Sequence, residues 1–87
     1  MIDNNLQQVI VGCENSRTDV WEFYRHKNEE DYGNGTYITV IRNNELEAYV
    51  DMRYTKYEYI SWIISYIRMY YGEKILTFEI SPIEIPF

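Results

Sequence analysis

The chain has 87 residues, a single cysteine (Cys13), and 14 acidic against 8 basic residues for a net charge of −6. That length makes one domain, residues 1–87, which buries little more than half of its unfolded surface, and one cysteine excludes an internal disulfide and a cysteine-built zinc site. The acidic balance argues against binding a phosphate backbone, which depends on clustered Lys and Arg, while 46% hydrophobic residues, ten of them tyrosines, are enough for a core.

The start, MIDNN, has neither a basic region nor an apolar run of signal-peptide length, so a cytoplasmic protein is expected. Asp3 to Val11 reads as a short helix capped by Asp3 or Asn4, with Leu6, Val9 and Ile10 inward and Gly12 at its end. The β-branched VIV run keeps a strand open as the alternative. Asp19 to Lys27 alternates as a strand does, with Val20, Glu22, Tyr24 and His26 on one side and Trp21, Phe23, Arg25 and Lys27 on the other. Asn28 to Gly35 (NEEDYGNG) is a polar loop.

Thr36 to Met52 is a hairpin around Asn43-Asn44, because Asn tolerates positive φ in a two-residue turn. Regular pairing sets Ile41 against Leu46, Thr39 against Ala48 and Tyr37 against Val50. It puts these residues and Met52 on the core face, and Ile38, Val40, Arg42, Glu45, Glu47, Tyr49 and Asp51 in solvent.

Lys56 to Tyr71 is the longest helical pattern. Thr55 and Glu58 form a capping box, and Gly72 suits the left-handed residue that ends a helix. Ile60, Ile63, Ile64, Ile67 and Tyr71 form one apolar face. Tyr59, Trp62, Tyr66, Met69 and Tyr70 form a second beside it. The second face either covers the sheet edge or an N-terminal helix, or it meets a partner, since Tyr and Trp carry interface energy. The segment is too short and too charged to span a membrane. Lys74 to Ile80 reads as a last strand, which Pro82 stops. The tail SPIEIPF docks back on the domain, or else adds as an extended peptide to a partner.

The expected fold is α+β in the order α-β-β-β-α-β. A three- to four-stranded antiparallel sheet packs on one long C-terminal helix, with a short N-terminal helix in one of the two readings. The order helix-strand-strand-strand-helix is similar to that of double-stranded-RNA-binding domains, which place basic residues at the start of their last helix. The equivalent stretch here, YTKYEYISW, holds one lysine, and direct nucleic-acid binding is rejected on charge.

No catalytic constellation is visible. Cys13 and His26 are the only residues of their kinds, no glycine-rich phosphate loop is present, and carboxylates on an exposed hairpin lack a pocket to tune them. NEEDYGNG lacks the ligand spacing of a calcium loop. No cofactor and no metal are expected.

Two groups are left as partner-binding candidates. The first is acidic: Glu29, Glu30 and Asp31 in the loop, with Glu45, Glu47 and Asp51 on the hairpin, where residues two apart project roughly 6.6 Å apart on one face. The second is the aromatic stripe Tyr59, Trp62, Tyr66 and Tyr70. In size and charge the chain resembles small acidic proteins that mimic nucleic acid and block nucleases, restriction enzymes or CRISPR effectors, and small immunity proteins that block toxic nucleases. The expectation is a protein-binding module with a basic protein as its target, an inhibitor encoded by a phage or other mobile element. The alternatives are a self-associating accessory domain, a homodimer through the aromatic stripe, and an immunity or antitoxin protein.

Overall fold

The computed structural model describes residues 2–14, 16–28, 35–52, 58–72 and 74–84. In chain order these form β1 (Ile2–Cys13), β2 (Thr18–Asn28), β3 (Gly35–Arg42), β4 (Glu45–Asp51), α1 (Tyr59–Tyr71) and β5 (Ile75–Glu84). The strands make one sheet in the order β4-β3-β2-β1-β5, antiparallel at every junction. Because β4 and β5 lie at opposite edges, the segment containing α1 carries the chain from one edge to the other, and α1 packs on one face as it does so.

The N-terminal segment is a strand. The β-branched Val9-Ile10-Val11 run suits a pleated surface, and β1 is paired on both sides, by β2 and by β5. As a strand it turns Gln7, Val9 and Val11 into the interior; as a helix it would leave β5 without a neighbour. The sheet therefore has five strands rather than three or four, and the order is β-β-β-β-α-β. The similarity to double-stranded-RNA-binding domains goes with the missing first helix.

The β3–β4 hairpin keeps the expected turn, with Asn43 and Asn44 both at positive φ (51° and 68°). The pairs Arg42↔Glu45 and Ile41↔Leu46 follow, but the register then shifts to Val40↔Ala48, Thr39↔Tyr49 and Tyr37↔Asp51, leaving Glu47 as the extra residue of a β-bulge. A one-residue slip exchanges the two faces of a strand. Ile38 and Val40 are thus fully buried, while Thr39 and Ile41 lie on the opposite face. On β4 the inward residues are Ala48 and Val50, and with Met52 just after the strand they pack against the core as expected.

The core joins Val9, Val11, Trp21, Phe23, Ile38 and Val40 of the sheet to Tyr59, Ile63 and Ile67 of α1. Burying a side chain of this size contributes about 1.5–3 kcal/mol. The inward line of α1 is displaced from the isoleucine-centred one, since Ile60 is 40% exposed and Tyr59 only 7%. Tyr59 can turn inward because its hydroxyl reaches the carbonyls of Phe23 (2.6 Å) and Asn5 (3.1 Å), so its polar tip is not stranded.

The helix starts at Tyr59 with Glu58 as an extended N-cap whose side chain makes no capping bond. The capping box expected on Thr55 falls on residues 53–57, outside the described residues. At the other end Gly72 (φ 63°) closes the helix and donates its N–H to the Arg68 carbonyl at 2.8 Å.

Strand β5 runs through Pro82 to Glu84, beyond the expected stop. It is an edge strand, so Pro82 needs a neighbour on one side only. The ladder with β1 also shifts there, from Gln7↔Pro82 to Asp3↔Ile83. The tail docks on its own sheet as far as Glu84.

Candidate functional site

Helix α1 covers one face of the sheet. The other face has no layer over it among the described residues. Alternation and register place Leu6, Gln8 and Ile10 of β1 there, with Val20, Glu22, Tyr24 and His26 of β2 and Tyr37, Thr39 and Ile41 of β3. Leu46, Tyr49 and Asp51 of β4 and Thr77 and Glu79 of β5 complete it.

Its aromatic groups form a cluster toward the β4 edge. Tyr37 and Tyr49 stack with centroids 5.1 Å apart, and the His26 ring lies 5.6 Å from Tyr49 and 6.3 Å from Tyr37. His26 is held by Thr39, 3.0 Å between Nε2 and Oγ1. Beside them Tyr24 donates to the Glu22 carboxylate. That hydrogen bond, with burial behind it, pushes the Tyr24 hydroxyl up to about 12. Leu46 and Tyr49 are 70% and 55% exposed.

The charges of this face have one sign. Its described side chains include Glu22, Asp51 and Glu79 and no Lys or Arg. The five described Lys and Arg side chains are all elsewhere. Arg25 lies over the Tyr59 ring at 4.6 Å, Arg42 over Trp21 at 5.7 Å, Arg17 pairs with Asp19, Arg68 is on α1, and Lys74 follows the helix.

The two candidate groups read from sequence are dispersed. The bulge splits the expected acidic row: Glu45 is the partner of Arg42 and Glu47 lies 3.5 Å from Arg42, both toward the helix side, while Asp51 faces the open side. Glu29, Glu30 and Asp31 lie outside the described residues. Of the aromatic stripe, Tyr59 is in the core. Trp62 and Tyr66 are half-buried, edge-on to Phe23 at 6.2 and 5.9 Å, and Tyr66 also meets Trp21 at 5.8 Å. Tyr70 is 44% exposed, with its hydroxyl bonded to Arg42.

Two features escaped sequence reading. The open face was hidden because Tyr37, Thr39, Ile41 and Leu46 alternate as core residues would; the register with β2 sets the first three beside His26, Tyr24 and Glu22, and of them Tyr37 is nonetheless buried, 8% exposed. The second is Asp19, fully buried with every side-chain oxygen engaged. Arg17 Nε (2.9 Å) and Asn43 Nδ2 (3.0 Å) donate to Oδ1, and the Tyr71 hydroxyl donates to Oδ2. Tyr71 in turn accepts from the Trp21 indole N–H at 2.8 Å. Burial opposes ionisation of Asp19, but these donors outweigh it and hold the carboxylate at about 2. The same burial and bond push the Tyr71 hydroxyl up. The cluster ties the β1–β2 turn, the β3–β4 turn and the end of α1 together.

Cys13 and His26 lie at opposite ends of the β1–β2 ladder. No group of three or more His, Cys, Asp or Glu among the described residues is placed to hold a metal, and no described helix is long and apolar enough to cross a membrane. Comparison with protein-family models, curated proteins and solved structures finds no match for this chain.

Proposed function

We propose that this protein is a protein-binding module whose open sheet face docks on a basic surface of its target. The observation that carries the reading is the five-stranded face that has no layer over it among the described residues, with exposed Leu46 and Tyr49 beside His26 and acidic described charges. Aromatic rings with polar tips supply the burial that holds a partner. A face of one sign steers a partner of the other and speeds encounter. The net charge of −6 extends that attraction beyond the contact. The specific form we favour is an inhibitor from a phage or other mobile element that occludes a basic, nucleic-acid-binding surface. An immunity protein would use the same contacts on a different target.

Self-association through the helix stripe has less support. Tyr59, Trp62 and Tyr66 are engaged with the chain's own Trp21 and Phe23, leaving Met69 and Tyr70 as its most exposed members.

The test is capture of partners from nuclease-treated host lysate on immobilised protein, with the double variant Leu46→Lys/Tyr49→Lys and the helix-side variant Arg68→Gln in parallel. A basic protein held at low salt, released by high salt, lost by the double variant and kept by Arg68→Gln is the expected result. Equal capture by both variants would remove the open face from the interaction.

A further inference from the structure

Helix α1 lies along β2: Tyr59 at its start bonds the Phe23 carbonyl, and Tyr71 at its end bonds Asp19 and Trp21. The opposite side of the same strands has the pattern of a second helix seat. Its floor is aliphatic. Ile10 pairs with Val20 across β1 and β2, Leu6 stands beside Tyr24, and Ile41 of β3 stands beside Glu22. All four aliphatic side chains are only half-buried. Its rims are acidic: Asp51 lies on β4 and Glu79 on β5, the two edge strands, and both are exposed. On the helix side the described ion pairs match a carboxylate to a cation, Asp19 with Arg17 and Glu47 with Arg42. No described Lys or Arg stands on the open face to do the same. In the floor Glu22 accepts from the Tyr24 hydroxyl, which keeps it from lying bare beneath an apolar occupant but brings it no positive charge.

These features discriminate between occupants. Strands β1, β2 and β3 are each paired on both sides, so their backbones offer nothing to an added strand. A second copy would set the same acidic face, on a chain of net charge −6, against this one. A helix satisfies its own backbone and needs side-chain contacts alone. With its side chains it is roughly 10–12 Å across, whereas four strand spacings of about 4.8 Å set the two edge strands about 19 Å apart. Its apolar stripe therefore covers β1 to β3, and long Lys or Arg stems on its flanks reach outward to Asp51 on one side and Glu79 on the other.

We propose that the open face seats a basic amphipathic helix of the partner, its apolar stripe on Leu6, Ile10, Val20 and Ile41 and its cations at the acidic rims. This rests on the reading of that face as a docking surface and names what docks there. The sheet is then a middle layer, with the chain's own helix on one face and the partner's on the other.

The experiment is amide-resolved NMR titration of the whole chain with a synthetic peptide of about 14 residues, leucines on one helical face and lysines on the rest. The control has the same composition with its leucines scattered around the helix. Saturable shifts centred on Ile10, Val20 and Ile41 are expected, with binding of the control weaker by about tenfold, since it buries less apolar surface. Glu79→Gln should weaken binding about two- to fivefold, while Met69→Gln, an exposed change on α1, leaves it unchanged. The proposal is overturned if the amphipathic peptide gives no saturable shifts at these residues, or if the control binds as tightly. The docking face itself is judged by the lysate capture. A partner lost by Leu46→Lys/Tyr49→Lys while the two peptides bind alike keeps the face and removes the helix, and a partner kept by that variant removes both.

Discussion

Asp19→Asn tests whether a buried ionised carboxylate holds one end of this sheet. The folded carboxylate sits at about 2 against an ordinary value of 3.8. At 1.36 kcal/mol per unit, that difference corresponds to about 2 kcal/mol of stability at neutral pH. The sign follows from the direction. A carboxylate whose folded value is depressed stabilises the fold fully above its unfolded value, and the contribution is lost as pH falls through the folded one. Asparagine keeps the shape but carries no charge and sets an NH2 group against a donor, the Asn43 amide or the Tyr71 hydroxyl. The expected cost is about 2–3 kcal/mol near pH 7. It should shrink steadily between about pH 4 and pH 2, because only the unsubstituted protein loses stability from this group. The assay is urea unfolding followed by tryptophan fluorescence for both proteins across that range. Trp21, bonded to Tyr71 in the same cluster, is a direct reporter. The difference between the two curves cancels every other titrating group. A cost independent of pH would refute the assignment of Asp19 as an ionised acceptor.

Gly12 faces Thr77 across the β1–β5 ladder, and a Cβ on Gly12 would stand 2.4 Å from Thr77 Oγ1. Gly12→Ala should therefore cost about 1–3 kcal/mol by overpacking, and Thr77→Ala in the same chain should recover most of it, measured as a double-mutant cycle in urea. Asn43 bonds both Val20 N–H and Asp19 from its turn position, so Asn43→Gly, which keeps the backbone but removes the amide, should lower stability by about 1–2 kcal/mol. Asn44 makes no such bond among the described residues and holds φ at 68°. Asn44→Gly should leave stability unchanged or raise it by under about 1 kcal/mol, seen as a shift in the thermal midpoint. Tyr24 is held protonated by Glu22, so its raised value stabilises the fold below its ordinary value of 10 and that contribution is lost as pH rises through about 12. Tyr24→Phe should remove a tyrosinate from the last part of an alkaline absorbance titration, and an unchanged curve would contradict the bond.

Where local chemistry decides the outcome, the sequence alone was sufficient. The alternation of Trp21 and Phe23 against Glu22 and Tyr24 separates the two sides of β2, Asn43-Asn44 makes the turn, and Gly72 ends the helix, because each depends on neighbours in the chain. Charge was legible too, since the excess of acid is a count. The candidate site was legible only in its composition. Tertiary structure decided that Val9-Ile10-Val11 is a strand, because the partners that pair it, β2 and β5, come from distant parts of the chain. It decided which face of β3 is buried, because the ladder with β2 sets Val40 beside Phe23, and a single bulged residue of β4, Glu47, breaks the period-two pattern there so that Ala48 and Val50 join the same face. It also decided that Tyr59 is core and that Leu46 is exposed. An aromatic side chain suits an interior and an interface equally, and only the hydroxyl's acceptors, Phe23 and Asn5 for Tyr59, separate the two.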